Sequence, residues 1–146
     1  MGFHEVIQRD FPNLVLEEQQ LTRDDADVVS TLTTKVLRKG SKITALYNAG
    51  AGNSGLVEAL RLRTNSIRPI CIVHELVPHS YQALLDNHID LVIDQQPDTE
   101  VDRALAVLKA LIDITDLPPM PDLVPAIYVR DNLPEQFPVS FEKVQS

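Results

Sequence analysis

An α/β domain built as a doubly wound parallel sheet is the fold the sequence predicts, and three observations carry the prediction. Short and nearly continuous apolar runs at residues 43–47, 70–73 and 89–93 alternate with longer segments of helical period. Continuity of that kind suits strands covered on both faces, whereas strands with one wet face alternate apolar and polar residues. Finally, Gly50-Ala51-Gly52-Asn53-Ser54-Gly55 links the first of these runs to a helical pattern, as a strand-to-helix turn does in such a sheet.

The elements follow in order. Phe3, Val6, Ile7 and Phe11 recur at helical spacing until Pro12-Asn13 stops them, and Leu14-Val15-Leu16 is expected as a short first strand. Thr22-Arg23-Asp24-Asp25 supplies an N-cap and acids for the first turn of a second helix, with Val29, Leu32 and Val36 on one face and Gly40 as its stop. Strand two (43–47) leads through the glycine loop into a helix with Leu56, Ala59 and Leu60 inward. Strand three (70–73), a short helix opened by Pro78-His79-Ser80, and strand four (89–93) come next. Pro97 starts the longest helix, 98–114, where Val101, Ala104, Leu105, Leu108, Leu111 and Ile112 make a stripe with more apolar surface than one sheet face needs. Asp116-Leu117-Pro118-Pro119-Met120-Pro121 cannot continue a helix and predicts an extended linker over 115–125 before a last strand at 126–129. Residues 135–146 are expected to form a peripheral tail.

Bulk properties narrow the function. A chain of 146 residues is the size of one domain. Its 13 basic and 21 acidic side chains leave a formal charge of -8, which repels polyanions and argues against nucleic-acid binding by this segment. Cys71 lies inside an apolar run, where a buried small hydrophobe is expected rather than a reactive thiol. No stretch reaches the roughly 20 apolar residues of a membrane span, and the N-terminus lacks the order of a signal peptide. His4, His79 and His88 are scattered without a cysteine at ligand spacing, so no metal is expected; no cofactor is either. Ser54 is not placed as in the G-x-S-x-G nucleophile elbow, and nothing else points to covalent chemistry, so the chain is not expected to be an enzyme.

Ligands of open parallel sheets bind beyond the carboxyl ends of the strands. Those positions hold Asn48, Asn53, His74, Glu75 and Gln95, whose mixed donors and acceptors suit a neutral, hydroxyl-rich ligand. Each has a second reading: Asn48 and Asn53 as partners of turn backbone, His74-Glu75 as a solvated loop pair, and Gln95 as no more than a helix entrance. The loop itself spells G-x-G-x-x-G with Glu75 after the next strand, the pattern of a dinucleotide site with its pyrophosphate on a helix N-terminus. Against that, no lysine or arginine lies between Lys42 and Arg61 to meet a phosphate.

Gly2-Phe3-His4-Glu5-Val6 with Phe11-Pro12, Thr22-Arg23-Asp24-Asp25-Ala26, Leu46-Tyr47-Asn48 with Gly52-Asn53-Ser54-Gly55, and Ile89-Asp90-Leu91-Val92-Ile93-Asp94-Gln95-Gln96-Pro97 occur in a telling order. Together they resemble the effector-sensing region of the LacI (lac repressor) family of transcription regulators, whose fold is shared with periplasmic sugar-binding proteins. The resemblance implies a single lobe of a type I periplasmic-binding-protein-like fold over residues 1–134, the C-terminal lobe, without the DNA-binding head and with almost none of the N-terminal lobe. It implies that Asn48 and Gln95 take sugar-contact positions, and that His74-Glu75 replaces a Gly-aromatic-Asp pattern, with Glu75 as a longer acid. It also implies that helix 98–114 packs on the N-terminal lobe. Without that cover, self-association through this helix, or its refolding onto its own lobe, is expected. The partners implied are a small-molecule effector, a sugar or polyol, and DNA only through a head outside this chain; the location implied is cytoplasmic. Two alternatives stay open: a periplasmic sugar-binding protein of a transporter, and an NAD-dependent oxidoreductase using the loop from Gly50 to Gly55.

Overall fold

A computed structural model of the protein describes residues 2–63, 68–135 and 137. Helix α1 spans Phe3–Asp10 and α2 spans Ala26–Val36. Asp25 is the N-cap of α2, its carboxylate accepting from the amides of Asp27 and Val28. Strand β1, Ala45–Asn48, passes through the glycine loop into α3, Asn53–Arg61; β2, Ile70–His74, is followed by α4, Pro78–Leu85. Then come β3, Leu91–Asp94, the long α5, Pro97–Asp113, and β4, Ala126–Tyr128.

The strands lie in the order β1-β2-β3-β4. β1 to β3 are parallel, and β4 returns antiparallel against β3, with Ala126 opposite Asp94. The parallel sheet of the sequence reading therefore ends in one reversed strand. That reversal follows from the excursion through α5, which brings the chain back beside the strand it left.

Side-chain alternation divides the sheet. Leu46, Cys71, Val73 and Val92 join Val29 and Leu37 from the α2 region, Leu56, Val57 and Leu60 of α3, and Ala83 and Leu84 of α4 in one core. Tyr47 projects to the opposite face, where Phe3 of α1 stacks on it with ring centroids 4.5 Å apart. Helices thus stand on both faces. The α2–α3 seam is the closest helix contact, and Gly55 permits it: a Cβ there would lie 2.7 Å from the carbonyl carbon of Ala26 and 3.0 Å from the amide nitrogen of Ser30.

Two expectations need correction. Leu14-Val15-Leu16 forms no strand, and Val15 is 88% exposed. Three apolar residues followed by Glu17-Glu18-Gln19-Gln20 bury too little to hold a strand against the edge of β1. Nor does the long helix refold onto its own lobe. Only Ala110 of α5 is buried, while Leu105 is 58% and Ile112 78% exposed. Of the predicted tail, Glu135 and Phe137 are described, and Phe137 packs edge-on against Tyr81; Gln136 and residues 138–146 lie outside the described residues. Among the described residues no helix is long and apolar enough to cross a membrane, and no cluster of His, Cys, Asp and Glu is placed to hold a metal.

Candidate functional site

The carboxyl ends of β1, β2 and β3 place Asn48, His74 and Asp94 side by side, because parallel pairing in this register sets Asn48 opposite Val73 and His74 opposite Ile93. Asn48 turns its amide nitrogen into the glycine loop, donating toward the carbonyl oxygens of Gly50 at 3.0 Å and Ala51 at 3.1 Å and to Oδ1 of Asn53 at 2.7 Å. Asn53 is 4% exposed, and its own Nδ2 donates to the carbonyl of His74 at 2.8 Å. The carboxamide of Asn53 is therefore spent on tying α3 to β1 and β2.

His74 lies at the centre of a second chain of contacts. Its Nε2 is 2.7 Å from the Tyr47 hydroxyl and its Nδ1 is 3.1 Å from Nε2 of Gln95. Tyr47, Oη included, thus belongs to the same polar row, although the sequence reading left it out of the candidate residues. Its place one residue before Asn48 and on the same sheet face as His74 was the signal available. Glu75 is exposed with φ +68, a left-handed conformation uncommon outside glycine. Its amide donates to Ile93 and its carbonyl accepts from Ser80 Oγ, so its backbone is held at both ends.

Beside this row lies a cleft of about 280 Å3 lined by His74, Ile93, Gln95, Glu100, Leu123 and Pro125. It sits between the sheet end, the first turn of α5 and the returning chain. Two of the five candidate residues, His74 and Gln95, line it; Asn48, Asn53 and Glu75 do not. Its one formally charged side chain is an acid, Glu100, which disfavours an anionic ligand.

The glycine loop is occupied from within. Asp24, from the turn before α2, accepts the amide hydrogen of Ala51 at 2.8 Å, and a Cβ on Gly50 would meet its Oδ1 at 2.5 Å. A carboxylate thus stands on the amide that a pyrophosphate would need, and it would repel that group. Elsewhere, burial pushes the Cys71 thiol up to about 12, with Arg68 opposing, and the residue is fully buried, as its place in an apolar run predicted.

No family model and no curated protein sequence matches the chain. Solved structures do. GanP, a glucose-galactose binding protein from Geobacillus stearothermophilus, superimposes with a TM-score of 0.78 at 15% identity, covering 91% of this chain and 48% of its own. A chain of the XylFII-LytSN complex gives a TM-score of 0.78 at 16% identity, covering 90% of this chain and 46% of its own. The fold is periplasmic-binding-protein-like. The chain spans about half the length of these structures.

Proposed function

We propose that the chain is the C-terminal ligand-binding lobe of a LacI-type transcription regulator, and that it senses a neutral sugar or polyol. The observation that carries the ligand class is the row Tyr47–His74–Gln95 at the mouth of a cleft whose lining offers donors, acceptors and an acid but no cation. The order of the motifs around Asn48, Gly55 and Asp94 supports the regulator, and lobe closure on the ligand would bias a two-state equilibrium read by a DNA-binding head. His74 and Gln95, which line the cleft, contact the ligand in this reading, and Asn48 and Asn53 hold the loop beside them.

A transporter's sugar-binding protein is the second reading, favoured by the likeness to GanP. Both readings leave the apolar stripe of α5 in want of a cover, which we assign to a second copy of the chain. The oxidoreductase is not retained, given the Asp24 carboxylate on the loop.

Calorimetric titration with a panel of monosaccharides and with NAD tests the ligand class. Binding of a neutral sugar that weakens at least tenfold on Gln95→Leu supports it, and NAD binding without a response to any sugar overturns it. Mapping the 5′ end of the transcript separates the two roles: a helix-turn-helix coding region upstream supports the regulator, and a signal peptide the carrier.

A further inference from the structure

The two ends of the sheet differ in charge. At the carboxyl ends of the strands the cleft is lined by one acid, Glu100, and by no cation. At the other end, where β2 and β3 begin and β4 finishes, lie Arg61, Arg63, Arg68 and Arg130. Three of them have partners on the turn that leads into β3. Arg61 donates from Nε to Nε2 of His88 at 3.0 Å and stands 3.5 Å from Asp86. Arg68 holds the Asp90 carboxylate with two bonds and gives a third to the carbonyl of His88 at 3.2 Å. Arg130 reaches Oδ1 of Asn87 at 3.4 Å.

Arg63 is different. It follows Leu62, the C-cap of α3, and its Nε and Nη1 are buried with no hydrogen-bond partner among the described residues. Burial raises the Cys71 thiol, and Arg68 and Arg63 both pull it the other way, which puts the Arg63 charge beside the fully buried start of β2. A guanidinium cannot lose its proton to escape such a place, and a buried donor left unmade costs its full desolvation. The nearby acids are already engaged, Asp86 with Arg61 and Asp90 with Arg68 and the Cys71 amide. Three arginines thus face two aspartates, and the charge left over is that of Arg63.

We propose that Arg63, flanked by Arg61 and Arg68, forms a binding site for a small tetrahedral oxyanion of the phosphate class, at the end of the sheet opposite the cleft. Such an ion meets a guanidinium in a charge-assisted pair, often through two bonds, and its remaining oxygens are free for a neighbouring arginine. A carboxylate, with two oxygens, gains less. The chain as a whole carries -8, so the site suits a small ion held at short range, while a polyanion is repelled. Its occupant owes nothing to the sugar reading of the cleft, and the two stand or fall separately.

Inorganic phosphate is the probe, titrated into the full chain by calorimetry and by thermal unfolding, with chloride at matched ionic strength as the reference and acetate as the planar comparison. Phosphate at about twenty times its Kd should raise the melting point by on the order of 5 °C, and acetate at the same concentration by less. The Arg63 Nε–H signal in 1H–15N spectra should shift with the same Kd. Arg63→Met, which fills the space without donors, should bind phosphate at least about tenfold more weakly. Arg63→Lys keeps the charge without the fork and should fall between the two. Phosphate stabilising Arg63→Met as much as the parent is the general effect of an excluded salt and overturns the site. So does acetate acting as strongly as phosphate, or an Arg63 signal indifferent to phosphate, a readout on the parent that holds even where a variant fails to fold.

Discussion

Replacing Gly55 by alanine sets two effects of opposite sign against each other. In an ordinary helix the change would stabilise by up to about 1 kcal/mol, because alanine restricts the unfolded chain and glycine does not. Here the new methyl would sit 2.7 Å from the Ala26 carbonyl carbon and 3.0 Å from the Ser30 nitrogen, where unstrained carbon contacts need about 3.5 Å or more. The Ala26 carbonyl oxygen lies closer still, and all three obstacles are helix backbone that cannot swing aside, so α2 and α3 must part by at least about 1 Å, a gap that forfeits about half of the dispersion attraction across it. The seam loosened is the one that seats Val29, Leu56 and Leu60, all buried. Overpacking of this kind costs about 1–3 kcal/mol, and with backbone on both sides the upper end applies. The net expectation is a loss of about 2 kcal/mol after the propensity gain, or a melting point lower by on the order of 6 °C. Urea unfolding of parent and variant, followed by far-UV circular dichroism, measures it. A Gly55→Ala chain as stable as the parent, or more so, would refute the claim that close helix approach explains this glycine.

Three further outcomes are expected. Burial pushes the Asp90 carboxyl up, but the Arg68 guanidinium and the Cys71 amide outweigh it and hold the group below its ordinary value. Its contribution to stability is therefore full above the unfolded value of about 3.9 and is lost as pH falls through the lower folded value; the urea-midpoint gap between parent and Asp90→Asn should close on acidification, and a constant gap would count against the pairing. The Cys71 thiol, raised to about 12 chiefly by burial, should resist a thiol reagent at neutral pH and react only as fast as the chain unfolds; rapid labelling of the folded chain is the contrary result. Leu105→Ser with Leu108→Ser should convert a self-associating chain into monomers in sedimentation, and a parent already monomeric at high concentration would sink the proposed role of α5.

The parts of the fold legible in the sequence are those where local signals and burial agree. Asp25 caps α2 as the acid-rich turn predicted, and β2 to β3 lie where the continuous apolar runs placed them, within two residues at each end. Leu14–Leu16 misled because an apolar triplet says nothing of whether a partner edge stands beside it. The reversed direction of β4 is likewise non-local, set by where α5 returns the chain. At the candidate cleft, the placement of His74 and Gln95 was legible from their positions after strands, whereas that of Tyr47 was not, because an aromatic inside a strand looks like core until sheet register shows which face it takes. Asn53 had two readings, and its buried carboxamide with both ends bonded shows the loop-building role.

The antiparallel return of β4 makes everything from Gln95 to Pro125 a detachable insert. The chain exits at Asp94 and re-enters at Ala126 directly opposite, and beyond that pair Gln96 Nε2 donates to the Val124 carbonyl at 2.6 Å and Arg103 to the Pro121 carbonyl, stitching the outgoing and returning segments together. Sheet register therefore does not depend on what lies beyond the stitch. A graft could exchange α5 for a tight hairpin turn, or for a fluorescent reporter, and leave the lobe's hydrogen-bond ladder in place. Because the Gln95 stalk also borders the cleft, cargo hung there would pivot at the cleft's edge.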